Sequence, residues 1–139
     1  MNYIYRNITG SAATSLIQER STRTVTVSKC HVTNTHTSSI SVDIYIERIN
    51  EEETRKLYGK LEDNSNRELI RDIYYKVKNL NIPTGTAFEL FVDSSCTYDG
   101  SFAFKIKLNN TSDTADVFID YETRDSGIAS NSRRNVNQY

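Results

Sequence analysis

The sequence has few of the residues that build catalytic, metal or phosphate sites. Its 139 residues include five isolated glycines, two histidines and no tryptophan. It has no G-x-S-x-G, G-x-x-x-x-G-K-[ST] or G-x-G-x-x-G motif, so it predicts neither a nucleophile elbow nor a glycine-rich phosphate loop. It also lacks a C-x-x-C pair, which excludes the common type of zinc site. We therefore expect no enzymatic activity, no cofactor and no metal ion.

Charge and hydropathy argue against two classes of partner. The formal net charge of -1 at pH 7 produces no field that would attract nucleic acid or an anionic membrane. No apolar run approaches the roughly 20 residues that span a bilayer. Residues 1–14 lack the basic and apolar segments of a secretory signal, so none is expected. We expect no direct binding to nucleic acid or membranes.

The few side chains capable of redox or metal chemistry are interpreted as structural. Cys30 and Cys96 are expected to be reduced thiols because nothing predicts secretion, and a Cys30–Cys96 bridge is the alternative in an oxidising compartment. His31 and His36 lie five positions apart, which puts them on opposite faces of a continuous strand and argues against a metal pair. Residues 93–101 match a calcium loop poorly, so we predict a hairpin turn there.

One set of carboxylates needs a separate interpretation. Asp116, Asp120 and Glu122 fall on the outward face of one predicted strand. Paired carboxylates can perform acid–base chemistry when burial or close approach separates their proton affinities. We interpret these as partners of Lys105 and Lys107 on a neighbouring strand, since opposite charges stabilise cross-strand pairs. No catalytic residue is predicted among them.

The most abundant signal is alternation of apolar and polar residues with a period of two. It covers residues 40–47, 102–108 and 115–122. Period two is the spacing of a half-buried β-strand, because successive side chains point to opposite faces. A shorter segment of the same kind places Leu90 and Val92 inward. These four segments predict strands.

Two further segments, residues 23–33 and 74–82, change phase midway. A one-residue slip moves every later side chain to the other face of the sheet. A β-bulge near residues 28–29 and another near residues 78–79 would restore the inward face. In the second segment we expect Tyr75 to point inward.

The predicted fold is an all-β antiparallel sandwich, similar to a jelly roll. Weaker strand candidates at residues 3–9 and 14–19 bring the number of strands to seven or eight. Residues 1–122 are predicted to form one domain. Within it, residues 50–72 form a long charged insertion with one or two helical turns. Residues 123–139 are polar and are predicted to be a C-terminal arm or a disordered tail.

Outward aromatic side chains, with basic residues of the arm, are the candidate protein interface. Several exposed aromatics on one surface suggest an interface. Tyr45, Phe91 and Phe118 fall on the polar side of their strands, and the alternative is that the insertion covers some of them. The candidate interface residues are Tyr3, Tyr5, Tyr45, Phe91, Phe118, Arg133, Arg134 and Tyr139.

Three segments of the chain carry a family resemblance. They are VSKCHVTNTHTSSISVDIYI (residues 27–46), YYKVKNLNIPTGTAFEL (residues 74–90) and DVFIDYE (residues 116–122). Together they resemble small β-sandwich virion proteins of tailed bacteriophages, especially of large marine myophages. The turn in the second segment is also a geometric solution open to other β proteins, because Pro83 presets φ and Gly85 permits a positive φ. The chain departs from the pattern in its longer insertion and in the histidine before residue 40.

The resemblance implies a virion structural protein, assembled in the host cytoplasm as a repeated subunit of the neck, tail, baseplate or capsid decoration. Its partners would be other virion proteins and copies of itself, with no small-molecule substrate. The alternative is a host-surface or carbohydrate-binding module on the same fold. The nine tyrosines favour this alternative, and the absence of tryptophan argues against it.

Overall fold

The chain forms two antiparallel β-sheets that pack face to face, with the core between them. This computed structural model describes residues 2–20, 23–58 and 69–125. The predicted all-β sandwich is confirmed, and both weaker strand candidates are strands. The elements of the described residues are β1 (Asn2–Thr9), β2 (Thr14–Ile17), β3 (Arg23–Asn34), β4 (Ile40–Ile49), α1 (Glu51–Tyr58), β5 (Arg71–Ile82), β6 (Ala87–Leu90), β7 (Cys96–Asp99), β8 (Ala103–Leu108) and β9 (Thr114–Asp125).

The strand order is that of a jelly roll. Sheet I has the order β1-β9-β3-β6, with β7 also paired to β3, and sheet II has the order β2-β8-β4-β5. β7 pairs with residues 24–27 of β3, and β6 pairs with residues 30–33. β6 and β7 therefore lie along the same edge of β3 as two halves of one strand. Counted as one, they complete two four-stranded sheets in double Greek-key order.

Alternation buries the inner faces of both sheets, as the sequence predicts. A large apolar side chain contributes roughly 1.5–3 kcal/mol when it is fully buried. The core is thus built from every second residue of the long strands, which leaves the other residues free to face solvent. The buried inward residues of β4, β8 and β9 are Ile40, Val42, Ile44, Ile46, Phe104, Ile106, Leu108, Ala115, Val117, Ile119 and Tyr121.

A β-bulge in β3 keeps the core face of this strand continuous. The register between β3 and β9 shifts between Val27 and Lys29, so Ser28 is an extra residue on β3. Because Ser28 is an extra residue, Val27 and Cys30 are both fully buried although they are three positions apart. The bulge predicted at residues 28–29 is confirmed.

β5 contains the second predicted bulge, since its register against β4 shifts at residues 78–79. Asn79 has a positive φ of 57°, and its N–H donates to Asp43 Oδ1 over 2.7 Å. The register shifts again between Tyr75 and Val77, where Lys76 is an extra residue on β5. Tyr75, predicted to point inward, is 46% exposed. That prediction is wrong because β5 is an edge strand with two irregularities.

β6 ends at Leu90, so the inward position predicted for Val92 is wrong. Phe91 and Asp93 have φ values of 60° and 57°, in the left-handed region that breaks an extended strand. Val92 is consequently 61% exposed. Phe91, predicted to project outward, instead packs half-buried against the core.

The charged insertion begins with α1, which confirms the predicted helical turns. Asn50 caps the helix, because its Oδ1 accepts the Glu53 N–H over 2.9 Å. The Thr54 hydroxyl donates to the Asn50 carbonyl over 2.8 Å and accepts the Ile70 N–H over 2.8 Å. These bonds join the start of the helix to the residues that lead into β5.

β9 continues beyond residue 122, the predicted end of the domain. Residues 123–125 pair with residues 23–25 of β3, and Arg23 Nε lies 3.4 Å from Asp125 Oδ1. The first three residues of the predicted arm therefore belong to sheet I. The remainder of the arm, residues 126–139, lies outside the described residues, as do residues 59–68 of the insertion.

The two cysteines are buried and unbridged. Burial, together with the nearby Cys96, raises the pKa of the Cys30 thiol from 9.0 to about 12. A thiol that keeps its proton is a poor nucleophile. Cys30 therefore serves as a small apolar residue of the core.

Gly100 ties the turn after β7 to the segment that enters β3. Its N–H donates to the Arg23 carbonyl over 2.7 Å, and its own carbonyl accepts the Arg20 N–H over 2.5 Å. A Cβ at this position would lie 2.4 Å from the Arg23 carbonyl oxygen and 2.6 Å from that of Arg20. Both are backbone atoms, so the chain has to shift to accept a side chain.

We expect Gly100→Ala to lower the free energy of unfolding by about 3 kcal/mol, at the upper end of the usual range for overpacking. Gly85→Ala is the matched control, since Gly85 has a positive φ of 75° but nothing within 4 Å of the added Cβ. It should lose only about 1–2 kcal/mol through its left-handed conformation. Urea denaturation of both variants measures the difference. Equal losses would contradict the close backbone contact at Gly100.

Tyr98 is a buried tyrosine whose hydroxyl has no hydrogen-bond partner among the described residues. Its ring stacks on Phe104 with centroids 6.0 Å apart. Burial, with smaller contributions from Cys96 and Tyr121, raises the pKa of Tyr98 well above 10.0. Its folded-state pKa is therefore higher than its unfolded pKa, so its contribution to stability is lost as the pH rises above about 10.

We expect Tyr98→Phe to raise the free energy of unfolding by up to about 1 kcal/mol, because it removes an unpaired buried hydroxyl and keeps the ring. It should also reduce the alkaline loss of stability, to which Cys30 contributes with the same sign above pH 9.0. Urea titrations at about pH 7 and about pH 10.5 test both effects, with Tyr74→Phe as the exposed control. A clear loss of stability in Tyr98→Phe at the lower pH would show that the hydroxyl has a partner.

Candidate functional site

The outer side of sheet I carries a row of side chains that crosses four strands. The register places Tyr5 of β1, Phe118 of β9, His31 of β3 and Glu89 of β6 side by side. Their neighbours along each strand point the other way, so alternation puts all four on the outer side. Tyr3 extends the row along β1. We call Tyr3, Tyr5, His31 and Phe118 the aromatic face.

Phe118 is the centre of the aromatic face. Its ring centroid lies 5.1 Å from that of Tyr5, 5.9 Å from that of Tyr3 and 5.6 Å from that of His31. Aromatic pairs at such distances contribute roughly 0.5–1.5 kcal/mol beyond the area they bury. Tyr5 is nevertheless 73% exposed and Tyr3 54% exposed. The face therefore exposes aromatic surface to solvent, and the contacts with Phe118 hold its rings in place.

A row of polar side chains borders the aromatic face. The register places Asn7 of β1, Asp116 of β9 and Thr33 of β3 next to one another. Asn7 Nδ2 donates to Asp116 Oδ1 over 2.5 Å. These side chains help to bound an open depression of about 320 Å³. Its lining residues are Tyr5, Arg6, Asn7, His31, Thr33, Asp116, Val117 and Phe118.

Asp120 is a buried carboxylate within the same side of sheet I. It lies two residues beyond Phe118 on β9 and pairs with Tyr3 of β1 and Lys29 of β3. Asp120 is only 6% exposed, and its Oδ1 has no hydrogen-bond partner in the part of the chain that the structure describes. No Lys or Arg of the described residues forms an ion pair with it. Since buried polar groups are nearly always hydrogen-bonded, an orphaned carboxylate oxygen calls for an explanation.

Of the predicted interface residues, the structure brings Tyr3, Tyr5 and Phe118 together. Tyr45 points to the outer side of sheet II, as its phase predicts, so it is not part of this surface and its role in an interface stays a prediction. It lies on sheet II and is only 6% exposed. β4 is an inner strand, and neighbours on both sides cover Tyr45: the Tyr75 ring lies 5.3 Å away, and Lys105 is opposite.

The structure does not show the remaining predicted interface residues on the aromatic face. Phe91 folds against the core rather than joining the aromatic face. Arg133, Arg134 and Tyr139 lie outside the described residues. Their role in binding a partner stays a prediction.

The predicted pairing of the β9 carboxylates with Lys105 and Lys107 is wrong. β8 and β9 belong to different sheets, so their outer faces point in opposite directions. Lys105 Nζ instead lies 3.1 Å from Glu47 Oε1, and the other oxygen of Glu47 accepts a hydrogen bond from Arg71 over 2.9 Å. The carboxylates of sheet I therefore do not lie opposite Lys105 or Lys107.

Sequence reasoning did not place His31 or Glu89 in the site. His31 Nε2 lies 3.2 Å from Glu89 Oε2, and both side chains are partly exposed. An exposed pair of this kind contributes little to stability, but it positions the imidazole beside Phe118. The outward phase of both residues is visible in the sequence. Their adjacency follows only from the pairing of β3 with β6 and β9.

The part of the chain that the structure describes contains neither a cluster of metal-ligating side chains nor a membrane-spanning helix. There, no three His, Cys, Asp or Glu side chains are grouped so that they could hold a metal ion. The same residues contain no helix long and apolar enough to cross a bilayer.

Comparison with known proteins identifies no family for this chain. No family model matches it, and no curated protein matches it. A solved structure of the infectious bursal disease virus Gx strain has a TM-score of 0.36 and 11% sequence identity to it. That match covers 91% of this chain, which spans only 30% of the viral chain. A TM-score this low carries no argument about function, which has to be argued from the site.

Proposed function

We propose that this protein is a structural subunit of a virion that assembles through protein–protein contacts made by the aromatic face. The observation that carries the proposal is the exposure of Tyr3 and Tyr5 around Phe118 on regular, paired strands. Tyrosine is enriched among the residues that dominate binding energy in interfaces. Its side chain supplies a large contact area and loses little conformational entropy on binding, because it has only two χ angles.

The position of the aromatic face on the sheet supports an assembly role. β1 is an edge strand, paired with β9 over all eight of its residues without a register shift. A neighbour can add a strand to a regular sheet edge through backbone hydrogen bonds. A neighbour docked on the aromatic face is therefore also close to an edge that can extend the sheet.

The phage assignment rests on the sequence resemblance rather than on the fold. Jelly rolls occur in capsid proteins, but also in lectins and cupins, so the architecture alone does not select a function. The segments that resemble tailed-phage virion proteins include DVFIDYE of β9, which supplies Phe118 and Asp120. We place the subunit in the neck, tail, baseplate or capsid decoration, with other virion proteins as its partners and no catalytic role.

We expect the purified protein to form a discrete oligomer, and Tyr3→Ser/Tyr5→Ser to return it towards the 15.9 kDa monomer. Loss of one anchor tyrosine should weaken association roughly 30-fold, the effect of a typical hot-spot residue. Light scattering behind a sizing column measures the masses. The matched control is Tyr74→Ser/Tyr75→Ser, which removes two exposed tyrosines from the other sheet.

An oligomer that survives in the Tyr3→Ser/Tyr5→Ser protein, or is lost equally in the control, would reject the aromatic face as the interface. A chain that stays monomeric both alone and with the other proteins of its particle would reject the assembly role itself. Far-ultraviolet circular dichroism of each variant establishes that the sandwich is intact before the masses are compared.

A second function, binding to a host-surface carbohydrate, is favoured by the depression beside Tyr5. A sugar ring can stack on the exposed Tyr5 ring, while its hydroxyl groups hydrogen-bond to Asn7, Asp116 and Arg6. Aromatic surface with a few placed polar groups is the usual composition of a small-ligand site. The depression is open and shallow, so the assembly function remains the one we prefer.

A glycan array separates the two functions. If the carbohydrate function holds, the protein should bind a defined glycan, and Asn7→Ala or Asp116→Ala should reduce that binding at least tenfold through lost hydrogen bonds. Neither substitution should alter the oligomer as strongly as Tyr3→Ser/Tyr5→Ser. An array without a hit that depends on these two residues would reject the carbohydrate function.

A further inference from the structure

Asp120 is a buried carboxylate that the fold does not explain. Its Oδ1 lacks a hydrogen-bond partner among the described residues, although leaving a buried polar group unpaired is costly. The residue lies beside the aromatic rings, since its cross-strand partner is Tyr3 and Phe118 precedes it by two positions on β9. The site thus combines a carboxylate oxygen without a donor and stacked aromatic rings.

This combination suits an arginine side chain from another molecule. A guanidinium group is planar, stacks on aromatic rings and donates paired hydrogen bonds to a carboxylate. Lysine has the charge but neither the plane nor the paired donors. Tyr3 and Lys29 flank Asp120 and are exposed, so an incoming side chain can reach Oδ1 after small side-chain rotations, which are common when interfaces form.

Carboxylates outnumber basic side chains on the surface around Asp120. Asp116, Asp120 and Glu122 alternate along the outer side of β9, and Glu89 lies on β6. The basic residues of this surface are Arg124 of β9 and Lys29, the β3 neighbour of Asp120. Asn7 binds Asp116 and His31 lies beside Glu89, which leaves Asp120 and Glu122 as the carboxylates nearest to Tyr3. The surface therefore favours a basic partner over an acidic one.

The chain itself contains a segment with the complementary chemistry. Residues 126–139 include Arg133 and Arg134 and no Asp or Glu. This segment continues from Asp125, the last residue of β9, which is five residues or roughly 17 Å along the strand from Asp120. β9 is directed away from Asp120 at that point.

We propose that Arg133 and Arg134 of one copy bind the aromatic face of a second copy, with one guanidinium group on Asp120. This interaction rests on the proposed assembly function and names the contact that would hold the subunits together. It would account for a carboxylate oxygen that is buried without a partner among the described residues of the single chain, since the partner would belong to the next subunit. Tyr3 and Phe118 would stack on the guanidinium group and exclude water from the ion pair.

The experiment compares the mass of the full chain with that of charge variants by light scattering and sedimentation. Asp120→Asn should weaken self-association roughly tenfold to hundredfold, the effect of losing a hydrogen bond between charged groups. Glu122→Gln is the matched control, since it removes an exposed carboxylate two residues away on the same face and should change association less than threefold. A chain that ends at Asp125 should weaken association at least as much as Asp120→Asn.

A charge exchange tests whether the contact joins two copies. Asp120→Arg and Arg133→Glu/Arg134→Glu should each be monomeric alone, because each places like charges in contact. Their mixture should form a complex of twice the monomer mass, and a chain that carries all three substitutions should self-associate again. Urea midpoints for every variant exclude loss of folding as the cause.

Two results would overturn the inference. If Tyr3→Ser/Tyr5→Ser abolishes the oligomer while Asp120→Asn and the chain ending at Asp125 leave it unchanged, the aromatic face is an interface but the arginines are not its ligand. In the second result, the mixture of the two charge variants stays monomeric, and the chain with all three substitutions regains its urea midpoint but not its self-association. Residues 133–134 would then bind the face of their own chain. In the first case the proposed function stands without this contact.

Discussion

The pairing of β3 with β9 is the interaction on which the rest of the structure depends. It runs from Arg23 opposite Asp125 to Asn34 opposite Ala115, with one bulge at Ser28. β9 also holds the edge strand β1, and β3 also holds β6 and β7. All of sheet I is therefore assembled on these two strands. Because they are far apart in sequence, sheet I depends on non-local pairing, whose loop-closure entropy is lost before its contacts stabilise the fold.

The bulge at Ser28 shapes both sides of sheet I. On the inner side it keeps Val27 and Cys30 in the core. On the outer side it sets Lys29 opposite Asp120 and His31 opposite Phe118. Without the extra residue, a one-position slip would exchange the inner and outer sets over half of β3. The core and the aromatic face thus depend on the same local irregularity.

The two sheets use their outer faces differently. On sheet II, Glu47 is held between Lys105 and Arg71, and Tyr45 is covered by its neighbours, although Tyr74 and Tyr75 of the edge strand are exposed. On sheet I, the exposed Tyr3 and Tyr5 are grouped around Phe118, and Asp120 Oδ1 lacks a partner among the described residues. A surface that has satisfied its own polar groups gains little from a partner, whereas an orphaned carboxylate beside exposed rings gains both a hydrogen bond and apolar contact. This contrast is why sheet I is the side on which we place the function.

The local pattern of the sequence determined the fold class, most strand positions, both bulges and the helical turns after residue 50, because each depends on residues close together in the chain. It was unreliable where a strand lies at an edge or ends early, as at Tyr75 and Val92, since alternation does not show which strands have two neighbours. Phe118 was already identifiable as outward from the phase of β9. That its neighbours would be Tyr5 and His31, that Lys105 would lie on the opposite sheet, and that Asp120 would be buried without a partner depended on strand order and register. These come from contacts between residues that are in some cases more than 100 positions apart, and only the tertiary structure decides them.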